Sequence, residues 1–157
     1  MTKPTLRPPV NIDALMDEWS NDADIREDEP AKEMAKIPSM HVKYVRILSH
    51  HSLMVKKLTN DYAKLRDLKR QYYAGYLNGT DLLAANGWEP FEGKVLKPEM
   101  ASTLDADLDL NAIIARRSVH EEIVETCTSI IKQLQTRSYQ INGIITWNKF
   151  IMDNKQD

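Results

Sequence analysis

Cysteine occurs once in the 157 residues, as Cys127. A single thiol excludes an internal disulfide framework and any zinc site built on cysteines. Glycine is scarce at 5 residues and proline at 7, which argues against a turn-rich β-sandwich or barrel. The glycine-rich patterns that cradle phosphates, the P-loop and GxGxxG, are both missing. No apolar run approaches the roughly 20 residues of a membrane span. The N-terminus shows no basic-then-apolar leader, so the expected compartment is cytoplasmic, with no membrane partner. What remains is ordinary soluble composition, 42% hydrophobic and 28% charged, in a chain long enough for one domain or a domain with an arm.

The net charge of −2 conceals an uneven distribution. Residues 1–37 carry 5 basic and 9 acidic groups, residues 38–78 carry 8 and 2, and residues 79–157 carry 8 and 12. A basic block between acidic ones can hold a polyanion while the whole chain stays near neutral. It can equally dock on an acidic segment of another copy.

Residues 1–10 are interrupted by prolines and are expected to form a flexible lead, with one helical domain over 11–157. Asn11 reads as the N-cap of a short helix to about Asn21, with Ile12, Leu15, Met16 and Trp19 on one face. Ser39, after Pro38, reads as the cap of a long basic helix over about 39–77, free of glycine and proline until Gly75. Leu48, His51, Val55, Leu58, Tyr62, Leu65, Lys69, Tyr72 and Tyr76 recur at alternating steps of 3 and 4, a heptad-like stripe with polar interruptions. A helix of roughly 55 Å needs a second long helix, another subunit, or both. Residues 78–98 read as the main loop, and helix resumes over about 99–153, with a break near Asp105, Asp107 and Asp109. A second stripe there includes Val124, Cys127, Ile131, Leu134, Ile141 and Ile145. The fold expected is all-α: two long helices plus a short N-terminal helix, oligomerising through extended helix packing. The candidate oligomer interface is Leu48, Val55, Leu58, Tyr62, Leu65, Val124, Ile131, Leu134, Ile141 and Ile145.

The candidate nucleic-acid contacts are Lys56, Lys57, Lys64, Arg66, Lys69 and Arg70, followed by Tyr72 and Tyr73. Cations that follow a phosphate backbone beside rings that stack on bases are the chemistry of single-strand binding. The same residues also fit a solvated helix face with two packed tyrosines. His41, His50, His51 and His120 form no HExxH pattern, so no metal is expected. Asp105, Asp107 and Asp109 lack the glycine and glutamate that would complete a calcium loop. Cys127 lies within the apolar stripe and reads as a small buried hydrophobe. No nucleophile–base pair or paired carboxylate stands out, so neither enzyme activity nor a cofactor is expected.

The order of these features resembles the phage UvsY recombination mediators over residues 11–153. The resemblance rests on Ile12-Asp13-Ala14-Leu15 with Glu18-Trp19 and Asp24-Ile25, on Lys36-Ile37-Pro38 and His41-Val42-Lys43-Tyr44, and on Leu68-Lys69-Arg70-Gln71-Tyr72-Tyr73-Ala74-Gly75. It implies a helical protein that forms a hexameric or heptameric ring in the host cytoplasm. It implies binding of single-stranded DNA, and partnership with a RecA-like phage recombinase and the phage single-strand-binding protein. Family members bind DNA through basic residues just ahead of the tyrosine pair, where Lys69 and Arg70 stand here. Asp67 departs from the family's basic tendency, with Lys64 and Arg66 as neighbouring cations. The rival reading is a helical coiled-coil structural or adaptor protein without nucleic-acid binding.

Overall fold

The computed structural model describes residues 11–155, and the N-terminal lead falls outside them. Five helices follow in order: α1 (Ile12–Ala23), α2 (Pro30–Tyr73), α3 (Asp81–Asn86), α4 (Lys97–Asp105) and α5 (Leu108–Asp153). No strand occurs among the described residues. The all-α expectation with two long helices and a short N-terminal one holds, with 44 residues in α2 and 46 in α5.

The helix ends follow local chemistry. The side chain of Asn11 accepts a 2.8 Å hydrogen bond from the Ala14 amide, so it caps α1 as expected. The long basic helix begins earlier than the sequence suggests. Pro30 starts it, and Pro38 sits inside it. Ser39 is therefore a helical residue whose hydroxyl donates back to the Lys36 carbonyl at 2.8 Å, and it is not a cap. At the far end α2 stops at Tyr73, ahead of the expected residue 77. Gly75, at φ +79°, takes the left-handed conformation that terminates helices. The Gly75 and Tyr76 amides then donate to the carbonyls of Tyr72 and Gln71, both at 3.0 Å. This pair of bonds is a Schellman arrangement.

The stretch expected to be one loop contains α3, and α4 begins within it at Lys97. The break expected among the alternating aspartates falls between Asp105 and Leu108. Asp107 accepts a 3.0 Å bond from the Leu110 amide there, so it caps α5.

The chain divides into two compact units. The first takes the residues up to Leu53 together with those from Val119 onward. Its core is a single apolar cluster of Leu15, Met40, Tyr44, Ile47, Ile123, Cys127, Ile130 and Leu134, with Trp19, Ile37, Leu48 and Ile131 packed against it. Trp19 meets Tyr44 edge to face at 5.6 Å. Burial pushes the Cys127 thiol up to about 11, so it behaves as a small hydrophobe. Arg137 and Glu33 are buried beside this core and paired at 3.1 Å. The same guanidinium donates to the carbonyls of Ala23 and Asp24, at 3.0 and 2.9 Å, and so satisfies the C-terminal end of α1. His51 and His120 face each other in this unit, with their Nδ1 atoms 2.7 Å apart.

The second unit runs from Met54 to Ser118. Its buried apolar residues are Leu58, Leu77, Leu83, Leu104 and Leu110.

Several residues expected at an oligomer interface are consumed inside the chain. Leu58, Leu134 and Ile141 are buried, and Leu48 and Ile131 pack on the first core. Val55, Tyr62, Leu65, Val124 and Ile145 are half-buried. Five of the ten positions are thus covered within the chain, and the other five stay partly exposed.

Candidate nucleic-acid interface

The expected DNA contacts all belong to the second unit, on α2. Counting about 100° per residue, Lys56, Lys57, Lys64, Arg66 and Arg70 fall within a half-circle of the helix. Lys69 projects from the opposite side, the side that also carries the buried Leu58. Helical phase therefore separates one cation from the other five.

Lys56, Lys57 and Lys64 are exposed and have no ion pair within 4.0 Å among the described residues. Arg70 is exposed and paired with Asp67, one turn earlier. Both side chains are more than half exposed, so the pair contributes about 0–1 kcal/mol and an incoming phosphate can displace the carboxylate. The hydrogen bonds from Arg70 and Gln71 hold the Asp67 carboxyl below its ordinary value. Arg66 donates to the Tyr62 hydroxyl at 3.1 Å and to Asp105 at 3.2 Å. The Asp105 bond raises its already high pKa.

Lys69 is in a different position. Its side chain is 7% exposed, and its ammonium lies 3.0 Å from Asp107 and 2.6 Å from Asp109. It also stands 4.3 Å from the centroid of the Trp88 ring, a cation–π contact. Burial disfavours the charge, but the bonds to Asp109 and Asp107 outweigh it and raise the pKa. Asp107 shows the converse. Burial opposes its charge, while the Tyr73 hydroxyl, the Leu110 amide and Lys69 together hold the carboxyl below its ordinary value. The sequence assigned Lys69 to the strand. In the structure its charge is engaged by two carboxylates at the start of α5.

The twin tyrosines are engaged within the unit as well. The Tyr73 hydroxyl donates to Asp107 at 2.7 Å. Burial, followed by that bond, pushes its pKa up. The Tyr72 hydroxyl donates to the Glu89 carbonyl at 2.9 Å, and its ring sits 5.2 Å from Trp88 and 5.5 Å from Phe91. Tyr73 meets Phe91 edge to face at 5.3 Å. The Trp88–Phe91 segment is thus the cover of the tyrosine pair. It is tied down by a reciprocal bond between the Asn78 side chain and the Phe91 backbone, at 3.1 and 3.2 Å.

Sequence reasoning passed over Lys94 and Lys97 and placed Tyr76 only in the apolar stripe. Tyr76 is 70% exposed, and the Lys94 ammonium lies 6.0 Å from its ring centroid. The available signal was the pair of lysines, three apart, just after the aromatic segment.

No group of three or more metal-ligating side chains occurs among the described residues. No described helix is long and apolar enough to cross a membrane.

Fold and surface together define an all-helical protein that carries a row of exposed cations on one face of a long helix. The chain belongs to the UvsY family: the family model described as recombination, repair and ssDNA binding protein UvsY matches residues 18–154. No curated protein sequence matches it. Crystal structures of the bacteriophage T4 recombination mediator protein UvsY share its fold. One superposes with a TM-score of 0.76 at 18% identity, covering 92% of this chain and 99% of that one. A second lattice form gives 0.75 at 16% identity, covering 90% and 98%.

Proposed function

We propose that this protein binds single-stranded DNA and acts as a recombination mediator, helping a RecA-like phage recombinase displace the phage single-strand-binding protein. Membership of the UvsY family supports the reading. The observation that carries it is the row of exposed cations, Lys56, Lys57, Lys64 and Arg70, along one continuous helix. Arg66 joins it once its bond to Asp105 yields. Lys69, Tyr72 and Tyr73 act as positioning residues that hold the end of this helix in place.

The mechanism is physical and involves no covalent step. Each subunit offers a few phosphate contacts, and a self-assembled hexamer or heptamer repeats them. Repetition raises the effective concentration of contacts along one strand. A strand bent over several subunits fits the single-strand-binding protein less well and the recombinase better. The setting is the cytoplasm of the infected host.

Binding should weaken steeply with salt, with a slope of about −0.7 per phosphate contact on a single strand. A filter-binding titration with an oligonucleotide measures that slope, and a flat response rejects the electrostatic reading. Charge reversal at Lys56, Lys57 and Lys64 separates this function from a structural adaptor. A mediator so altered stays assembled and loses DNA, whereas an adaptor docked through these cations falls apart. Native mass measurement with and without the oligonucleotide reads both outcomes together.

A further inference from the structure

An open groove runs between the C-terminal end of α2 and α4. It consists of two adjoining hollows, of about 560 and 540 Å³, that share Arg70, Lys97 and Met100 in their walls. The first is also lined by Tyr76, Lys94 and Val95, and the second by Arg66 and Asp67. All of these residues belong to the second unit. Four cations thus face one groove, with Asp67 the carboxylate in its walls. Val95 and Met100 add apolar lining to the first hollow, and Tyr76, which also lines it, is 70% exposed.

This combination is selective. A cation row alone fits any polyanion. An exposed aromatic ring, here with the Lys94 ammonium 6.0 Å from its centroid, adds a surface for a flat ring, and a nucleobase offers its face only when it is unpaired. A duplex keeps its bases stacked inside and would leave Tyr76 and the apolar lining unused. An acidic peptide would satisfy the cations but would use the ring only where an aromatic side chain happened to fall beside it, whereas every unpaired nucleotide brings a flat base. Resting on the single-strand reading given above, we infer that the α2–α4 groove is a second stretch of the strand's path. In it Lys94 and Lys97 contact phosphates and Tyr76 stacks on a base. The cations of α2 then form only one wall of the track, and the chain after the aromatic cover supplies the other. Arg70 is common to both hollows and joins this stretch to the exposed row.

The test uses the full-length protein and a fluorescein-labelled oligothymidylate, with anisotropy read across a salt series. Lys94→Gln with Lys97→Gln should make the salt slope shallower by about 1.4, two contacts at about 0.7 each. Tyr76→Ala should weaken binding about 5- to 100-fold at fixed salt, from the loss of one stacked base. Tyr76→Phe should bind as the parent does, because the ring and not the hydroxyl is used. Unchanged thermal unfolding shows that each variant is folded. If these variants bind as the parent does while Lys56→Gln with Lys64→Gln weakens binding, the groove proposal is overturned and the mediator reading stands. If the parent itself ignores the oligonucleotide at low salt, the mediator reading fails and the groove fails with it. If an oligoglutamate peptide binds in a Lys94- and Lys97-dependent way and the oligonucleotide does not, the occupant is an acidic protein segment and the proposal is likewise overturned.

Discussion

The two units solve the same packing problem with different materials. The first builds one apolar cluster from three helices, in which Leu15, Tyr44, Ile123 and Cys127 are completely covered. Its buried ion pair, Glu33 with Arg137, closes a helix end beside that cluster. The second has scattered buried leucines, and around them an aromatic and ionic network of Lys69, Asp107, Tyr73, Tyr72, Trp88 and Phe91. Apolar burial scales with area and asks for no direction. Ion pairs and ring contacts hold side chains at fixed angles. The second unit carries the exposed cations, and a directional interior keeps the α2 face and its neighbouring loop in register. The lesson is a division of labour, with bulk stability in one unit and precise display of charge in the other.

That contrast can be tested, beginning with the largest effect. Arg137→Ala removes one of the two cations on buried Glu33, leaving Lys36, and uncaps the Ala23 and Asp24 carbonyls; it should cost about 3–5 kcal/mol, read from urea unfolding. Ile123→Ala in the same core should cost about 2–4 kcal/mol and leave the salt slope of DNA binding unchanged.

Lys69 and Lys64 make the sharpest pair, five residues apart on one helix. Lys69→Ala leaves Asp107 buried without its cation and should destabilise by about 2–3 kcal/mol. Lys64→Ala should change stability by less than about 0.5 kcal/mol and flatten the salt slope by about 0.7. Equal effects at the two positions would break the division proposed here.

Acid acts on both units with the same sign. Folded Glu33 and Asp107 lie below their ordinary values of 4.5 and 3.8. In Glu33 the bond from Lys36 leads the effect. In Asp107 burial opposes the shift, and the Tyr73, Leu110 and Lys69 bonds overcome it. The unfolded chain therefore takes up protons first as pH falls. The stabilisation is complete above about pH 5 and drains away as pH drops through the lower folded values. Asp107→Asn should flatten that acid limb in a pH series of denaturant midpoints.

The smallest effect belongs to the surface. Asp67→Asn releases Arg70 and should tighten oligonucleotide binding a few-fold at low salt, with little change in stability.

Much of the architecture was legible in the chain itself. The cap at Asn11, the all-helical content and the break among the aspartates follow from local rules acting over three or four residues. Pro38 misled because proline usually marks a boundary, and here the helix continues through it. The early stop of α2 was readable from Gly75, but the apolar stripe that runs on to Tyr76 hid it. The candidate site was legible in part. Lys56, Lys57 and Lys64 stand exposed, as a solvated basic face requires. Lys69 could have been set aside by helical phase alone, since it shares a side with Leu58. Its partners could not, because Asp107 and Asp109 lie 38 and 40 residues further along the chain.

Composition and periodicity by themselves determined that this protein is helical, basic in its middle and built on two long amphipathic segments. Those properties are sums over near neighbours, and near neighbours are written side by side. Which carboxylates reach Arg66 and Lys69 was decided only in three dimensions. A lysine's availability depends on the carboxylates that reach it, and contacts across the fold carry no mark in the local sequence.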